Sequence, residues 1–551
     1  MSAAKNNSVA PGALAPGAFG RMGMDSMCKL VYSQVGYDIS GNTRALIATD
    51  AQGARFFMRN VITGETAFAG NAMPWGEKWG KFWSVLDFSA LEQPGDYYLI
   101  VQREEKVLAA GFLPVRVGRE QLWQQSWYAV SLEQLDVRAA NAYRSEGGWR
   151  DCGSELQEIS SHAIMLEALC DLLESGRLAE AERARVEAHL ATGADYIALC
   201  QRPEGGFVHE IRHNPAISTG NCANAAAVLA RVARLLAKSR PDKAAGYAAR
   251  AERGYRWIAQ HGPLRADFAS ECFTITHGAP ATLQTPPREW MTRDLLAMLG
   301  AAFALHRLGR PGYLEQAAAY ADRVLARQIA QSEAEYGLYG HFRTYDSFPF
   351  SEKANLHCGA WDLPYKNYNQ GAHRPHWLLP LIELCECYPE KARCAAWLDG
   401  VRRFAYGYFL PACQSSPFGI LPAGVYAGGG LLHFSGWYHG HAKIYGYAAA
   451  LAEAFYRLWG DAAFRALSTA NLQWIAGLNV AGQSLIVGVG NDAVRDWNAL
   501  RGTIVNGFDA SKQFSVAPVS RESDLPAFLD DEGGIHHCAG YLTGLCAAYK
   551  R

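Results

Sequence analysis

The run Gly147-Gly148-Trp149-Arg150-Asp151-Cys152-Gly153-Ser154-Glu155 gathers glycines, an aromatic, an arginine and acidic side chains between helical patterns. Glycine frees the backbone and loops carry chemistry, so this run reads as a site loop, with a plain helix-to-helix turn as the alternative. A second run, His209-Glu210-Ile211-Arg212-His213, matches H-E-x-x-H. Zinc hydrolysis by that motif requires a helix that puts both imidazoles on one face. Here Gly205-Gly206 precedes, Asn214-Pro215 follows, and Phe207–Ile211 alternates like a short strand. Extended spacing is too wide for one tetrahedral ion, so His209 reads as a cleft residue and no metal is expected.

Composition bounds the function. A net charge of −1 over 551 residues gives no electrostatic case for nucleic acid or an anionic membrane. Hydrophobic residues at 49% and charged residues at 19% place the chain among globular proteins. Aromatics at 12% are plentiful, and aromatic faces suit sugar rings. The 13 cysteines form no C-x-x-C pair, and several fall within helical patterns, which predicts buried, reduced thiols. No basic-then-apolar leader and no membrane-length apolar run is seen, so a cytoplasmic protein is expected.

The elements follow from periodicity. Residues 1–27, rich in Gly, Ala, Pro and Met, read as disordered. Residues 28–117 alternate in short runs at 28–35, 44–48, 55–61, 82–88, 96–102 and 108–115, separated by turn signals such as Pro94-Gly95-Asp96. Six or seven short strands at this spacing predict an immunoglobulin-like β-sandwich. From residue 118 to 551 the period becomes helical. About twelve helices are expected, at 120–143, 156–174, 179–200, 219–237, 241–260, 289–308, 311–330, 371–387, 390–410, 438–459, 461–477 and 535–549. Short links alternate with long loops such as 331–370 and 478–534. Helical hairpins with their long loops at one end predict a mainly α fold, an (α/α)6 barrel, rather than an open solenoid.

Five stretches carry a family resemblance. They are Val31-Tyr32-Ser33-Gln34-Val35-Gly36-Tyr37, Gly147 to Ser154, Glu204-Gly205-Gly206-Phe207-Val208-His209, Gly477-Leu478-Asn479 with Gly482-Gln483-Ser484 and Gly488-Val489-Gly490, and Glu532-Gly533-Gly534-Ile535. In order and context the chain resembles glycoside hydrolase family 9, in the branch with an N-terminal immunoglobulin-like domain. The resemblance implies inverting hydrolysis of a β-linked gluco-oligosaccharide or a related amino or acidic one, with no cofactor. That chemistry needs one carboxyl to protonate the leaving oxygen and another to deprotonate water, ~6.5–9.5 Å apart. Glu532 falls at the position of the general acid, with Asp530 and Asp531 beside it to raise its pKa. A solvated acidic cap of the last helix is the structural alternative.

The chain departs from the family where the base is expected. The second Asp of D-A-G-D is Ser154, and a serine hydroxyl is no base at neutral pH. Asp151 ranks first as the water-activating residue. Glu155 or Glu158, displaced by a residue or a turn, is the alternative. Phosphorolysis, in which the nucleophile is already an anion, and a non-catalytic sugar binder remain open. The loop 336–376 is rich in aromatics and histidines and reads as a sugar-stacking wall, with Trp361 foremost. His357, Cys358, His373 and His376 within it fit no familiar metal spacing. Gly428-Gly429-Gly430 reads as a close backbone approach to the cleft rather than an anion cradle. Trp149, Arg150, His209, Trp361, Trp437, Arg495 and Trp497 are the expected substrate contacts. Arg150 and Arg495 favour an acidic substituent or phosphate. The N-terminal domain is expected to brace the barrel.

Overall fold

The computed structural model describes residues 28–550 apart from 40, 153–154, 213–214, 216, 265–288, 335, 344–345, 347–377, 427–429, 435–440, 496–499 and 511–524. Expectations placed on Trp361, Trp437, Trp497, Ser154, His213 and the cysteine-histidine run 357–376 fall outside the described residues.

Ten strands form the N-terminal sandwich. One sheet runs β1 (Leu30–Val31), β3 (Arg44–Ile47), β7 (Lys81–Asp87), β6 (Met73–Lys78). The other runs β2 (Tyr37–Asp38), β10 (Val115–Gly118), β8 (Gly95–Arg103), β4 (Arg55–Asn60), β5 (Thr66–Asn71), with β9 (Lys106–Ala110) also on β8. Phe56, Met58, Leu86, Tyr97, Leu99 and Val101 alternate inward to fill the space between the sheets. Strands β5 and β6 are unforeseen in the sequence. Both are largely exposed, so no apolar alternation marks them. The expected strand 108–115 is two strands, broken at Gly111 to Pro114.

The helices form two rings. The inner ring is α3 (Ile159–Glu174), α5 (Thr219–Leu236), α7 (Thr292–Arg307), α9 (Leu378–Cys387), α12 (Lys443–Trp459) and α14 (Ile535–Ala548), each packed on the next and α14 closing on α3. Their sequences are apolar nearly all round, as helices covered on every side must be. The outer partners include α4 (Glu180–Leu199), α6 (Pro241–His261), α8 (Tyr313–Leu325), α10 (Lys391–Phe404) and α13 (Ala462–Ile475), with charged outward faces. α1 (Gln121–Tyr128) and α2 (Gln134–Ala140) are joined by a π-helical turn, as are α10 and the short α11 (Leu410–Gln414). Starts are set locally: Ser218 caps α5 by accepting from Asn221 N at 3.3 Å, and Asp461 caps α13 by accepting from Ala463 N at 3.0 Å. This is the expected (α/α)6 barrel.

Two hairpins interrupt the long loops. β11 (Gly424–Tyr426) pairs with β12 (Gly430–Leu432), so Gly430 begins a strand. β13 (Ile504–Asp509) pairs with β14 (Phe528–Gly534) and leads straight into α14.

The sandwich is keyed into the barrel. Gln34 N donates to Ala476 O at 2.8 Å, and Asn491 N donates to Gln34 O at 2.9 Å. Gly477 and Gly490 have positive φ and lie against Gln34, where a Cβ would meet it within 2.7 and 3.0 Å. Two of the recognised motifs therefore bind each other and serve domain docking. Asn479 pins the loop, donating to Trp474 O and Gln483 O and accepting from Ala481 N and Gly482 N.

Candidate active site

The site begins with a packed stack. Trp149 is fully buried and lies parallel to His162, with centroids 5.2 Å apart, and His162 in turn stacks on Tyr196 at 4.2 Å. Gly148, at φ +75°, passes so close that a Cβ would stand 2.6 Å from His162 Nε2. Gly193 leaves room for the Trp149 ring. His162 Nε2 accepts from Trp149 N at 2.9 Å, and its Nδ1–H donates to Glu158 O at 2.8 Å. This neutral tautomer has no free lone pair, and burial pushes the imidazole down to about 4. Trp149, expected to line a sugar subsite, is fully buried here with His162 stacked on its ring, and in this position it anchors the loop.

On that anchor the backbone presents Asp151, 4% exposed. Arg138 donates from Nη1 to Arg150 O at 2.9 Å and Asp151 O at 2.6 Å, and from Nη2 to Thr503 Oγ1 at 3.0 Å. Ile535 N, opening α14, donates to Asp151 O at 2.8 Å. One carbonyl thus ties the start of the barrel to its last helix. Asp151 Oδ2 accepts from Ser161 Oγ at 3.2 Å, while Oδ1 is buried and receives no hydrogen bond from a protein donor. Burial, then the charge of Glu158, raises Asp151 well above the usual carboxylate range; Arg138 opposes this and Glu532 adds to it.

Glu158 is the neighbour the motif does not reveal. It is 8% exposed, in extended conformation just before α3, and hydrogen-bonded to Asp151. Its Oε1 lies 3.1 Å from His209 Nε2 and its Oε2 accepts from Ser160 Oγ at 3.3 Å. Burial works to raise its pKa, but the His209 charge and hydrogen bond outweigh it and hold the carboxyl below its ordinary value. His209 moves the other way. Burial lowers it, and Glu158, with Glu210, more than compensates, leaving the imidazole above its ordinary value. Its Nδ1 faces the Asn221 amide nitrogen at 2.8 Å, and Asn221 Oδ1 has no partner. A half-turn of that amide lets Oδ1 accept from an imidazolium N–H. His209 follows Val208, which bridges to Ile217, and sits at a bend rather than on a helix.

Glu532 is not a helix cap. It sits in β14 at a bulge, where Asp531 and Glu532 together oppose Asn506 between the pairs Val505↔Gly533 and Gly507↔Asp530. Bulges re-aim side chains beside functional sites. Asn506 Nδ2 donates to Asp530 Oδ2 at 2.8 Å and to Glu532 Oε2 at 3.4 Å. Asn506 Oδ1 accepts from His537 Nε2, and His537 Nδ1 accepts from Lys443 N at 3.0 Å. Asp530 is buried and accepts from Glu532 N at 3.1 Å, whereas Asp531 is exposed.

The remaining expected residues are spread. Arg150 is half-buried, its guanidinium 5.6 Å from the Tyr143 ring centre. Glu155 is exposed and accepts from Tyr143 Oη at 2.9 Å, so Glu158 rather than Glu155 stands beside Asp151. Arg495 is exposed. Sequence reasoning missed Arg138, Ser161 and Asn506, which lie in ordinary helical and strand patterns. Among the described residues no group of three or more His, Cys, Asp or Glu could hold a metal ion.

The description "Glycosyl hydrolase family 9" matches residues 110–499, and "Cellulase N-terminal ig-like domain" matches residues 28–106. The chain belongs to glycosyl hydrolase family 9. It is a glycoside hydrolase with an immunoglobulin-like domain before its barrel. Among solved structures it resembles a metagenome-derived family 9 endoglucanase at TM-score 0.67 and 16% identity, covering 95% of this chain and 99% of that one. A thermostable endoglucanase variant from Alicyclobacillus acidocaldarius is similar at TM-score 0.61 and 17% identity, covering 95% and 100%. A family 9 protein of Bacteroides ovatus is similar at TM-score 0.64 and 15% identity, covering 95% and 98%. These likenesses extend the shared fold over both domains. No curated protein matches the chain by sequence.

Proposed function

We propose that this family 9 enzyme hydrolyses, with inversion, a soluble β-linked gluco-oligosaccharide or a related amino or acidic one. Glu532 donates the proton to the leaving oxygen and Asp151 stands on the water side. The observation that carries the reading is the convergence of Asp151 and Glu532, far apart in sequence, through the Ile535–Asp151 backbone bond and the charge of Glu532 felt at Asp151. Water is favoured over phosphate as nucleophile. An anion would enter beside the ionised Glu158, at a site where Glu158 and Glu532 both raise Asp151. Arg150 and the exposed Arg495 are candidate contacts for an acidic substituent. The unpaired, buried cysteines among the described residues, such as Cys170, Cys222 and Cys413, support a reducing, cytoplasmic setting. No described helix is long and apolar enough to cross a membrane.

The test is product formation by wild type and Glu532→Gln on β-linked disaccharides, chitosan and uronic-acid oligosaccharides, with and without phosphate. Phosphate-independent turnover that falls in the Gln variant is expected. Turnover only with phosphate, or sugar binding without turnover, contradicts the reading.

A further inference from the structure

We propose that Glu158, held by His209, is the second carboxylate of the water-activating pair and takes the place of the acid missing at Ser154. The inference rests on the hydrolase reading and deepens it.

The placement of Glu158 is controlled from both sides. Ile159 N donates to His209 O at 2.9 Å, and Glu158 O receives the His162 Nδ1–H at 2.8 Å. The backbone is therefore fixed by the same stack that anchors Asp151. The carboxyl is fixed as well, by His209 on Oε1, Ser160 on Oε2 and the Asp151 carboxyl. Removing a carboxylate from water is costly, and a brace for a loop is more cheaply built from neutral groups. Here the Glu158 carboxyl is buried between the Asp151 carboxyl and the His209 imidazole, touching both. Asp151 Oδ1 is buried and receives no hydrogen bond from a protein donor, so the carboxyl is not consumed as a structural acceptor.

The groups facing this pair set its charge. His209 supplies the positive charge beside Glu158; Arg138 opposes, and Glu532 reinforces, the repulsion at Asp151; Glu210 adds negative charge near His209. In the proposed cycle the pair starts with one proton, on Asp151, and one negative charge, on Glu158. During reaction the water oxygen forms its bond to the anomeric carbon as the bond to the leaving oxygen breaks. That oxygen keeps the electron pair and takes the proton of Glu532. The water proton passes to Asp151 as the Asp151 proton passes to Glu158, so the pair ends with two protons and no charge. Return of one proton to Glu532 through solvent restores the starting state. His209 is a positioning residue: it keeps Glu158 ionised and oriented without touching the sugar.

The experiment uses the full chain and two β-linked substrates, a sugar-leaving-group oligosaccharide and a dinitrophenyl glycoside. Glu158→Gln is expected to lower kcat about 10²–10⁴-fold on both, with KM within about threefold, because a base is needed whatever the leaving group. Glu532→Gln is expected to slow only the poor leaving group. Azide added to Glu158→Ala is expected to restore turnover of the dinitrophenyl glycoside and give the α-glycosyl azide. His209→Gln removes the charge that holds Glu158 down, so the acidic limb of kcat/KM moves to higher pH. Glu158→Gln retaining kcat within about twofold while Glu532→Gln is impaired overturns the assignment and leaves the hydrolase reading standing. Loss in Glu158→Ala without azide rescue, with a parallel fall in melting temperature, also overturns it and makes the pair a brace. Wild type that turns over neither substrate overturns both readings.

Discussion

Glu532 takes a hydrogen bond from Asn506, whose amide is in turn oriented by His537. An amide donor favours the charged form of a carboxyl. Replacing Asn506 by Ala is therefore expected to move the basic limb of the kcat/KM profile to higher pH, measured against an unchanged acidic limb. His162 gives a second expectation. Its folded value is about 4, against an unfolded value of 6.5, so the neutral form is the one the fold stabilises. Its contribution is complete above pH 6.5 and is lost as pH falls towards 4, by up to about 3 kcal/mol. Urea unfolding across that window checks it: His162→Gln should flatten the slope. The motif residues were legible at this scale, but their partners were not. Trp149 looked like a sugar platform because type and position in a loop do not reveal that a histidine stacks on it. Glu158 stood among the alternatives, and only burial beside Asp151 singles it out.

The long inner helices were legible because helices covered on all sides must be apolar all round. The elements that carry Glu532 and Asn506 were not. β13 and β14 are short, polar in part and bulged, and their pairing joins residues separated by a long loop. The acidic run Asp530-Asp531-Glu532 looks the same in sequence whether it caps a helix or ends a strand. Element packing also makes a prediction. Gly193 on α4 exists for the Trp149 ring, so Gly193→Ala should overpack the stack and cost about 1–3 kcal/mol in chemical denaturation. An unchanged midpoint would mean that the ring shifts freely, and that the loop is not anchored as described. The inner helices α12 and α14 meet through Gly446 and Gly540, where no side chain fits.

The two domains share one core. Val31, Val35, Leu46 and Trp83 of the sandwich pack in the same buried cluster as the barrel helices. Trp79 stacks on Phe418 at 5.8 Å and meets Trp474 edge-on at 6.3 Å. A single coincident thermal transition is expected in calorimetry, with Trp79→Ala lowering it; two separable transitions would show that the sandwich is only tethered. The sequence order of strands then paired helices made this architecture readable, while the docking role of Gly477 and Gly490 emerged only when both domains were in place. At this scale the barrel does one chemical thing: it closes the chain so that the loop after α2 and the strand before α14 meet. The most direct measurement is the anomer released first, by proton NMR, from a β-linked gluco-oligosaccharide that the enzyme cleaves. The α-anomer appearing before mutarotation is the expected result, because water attacks opposite the leaving group. The β-anomer appearing first would mean a covalent intermediate and would contradict the roles given to Asp151 and Glu532.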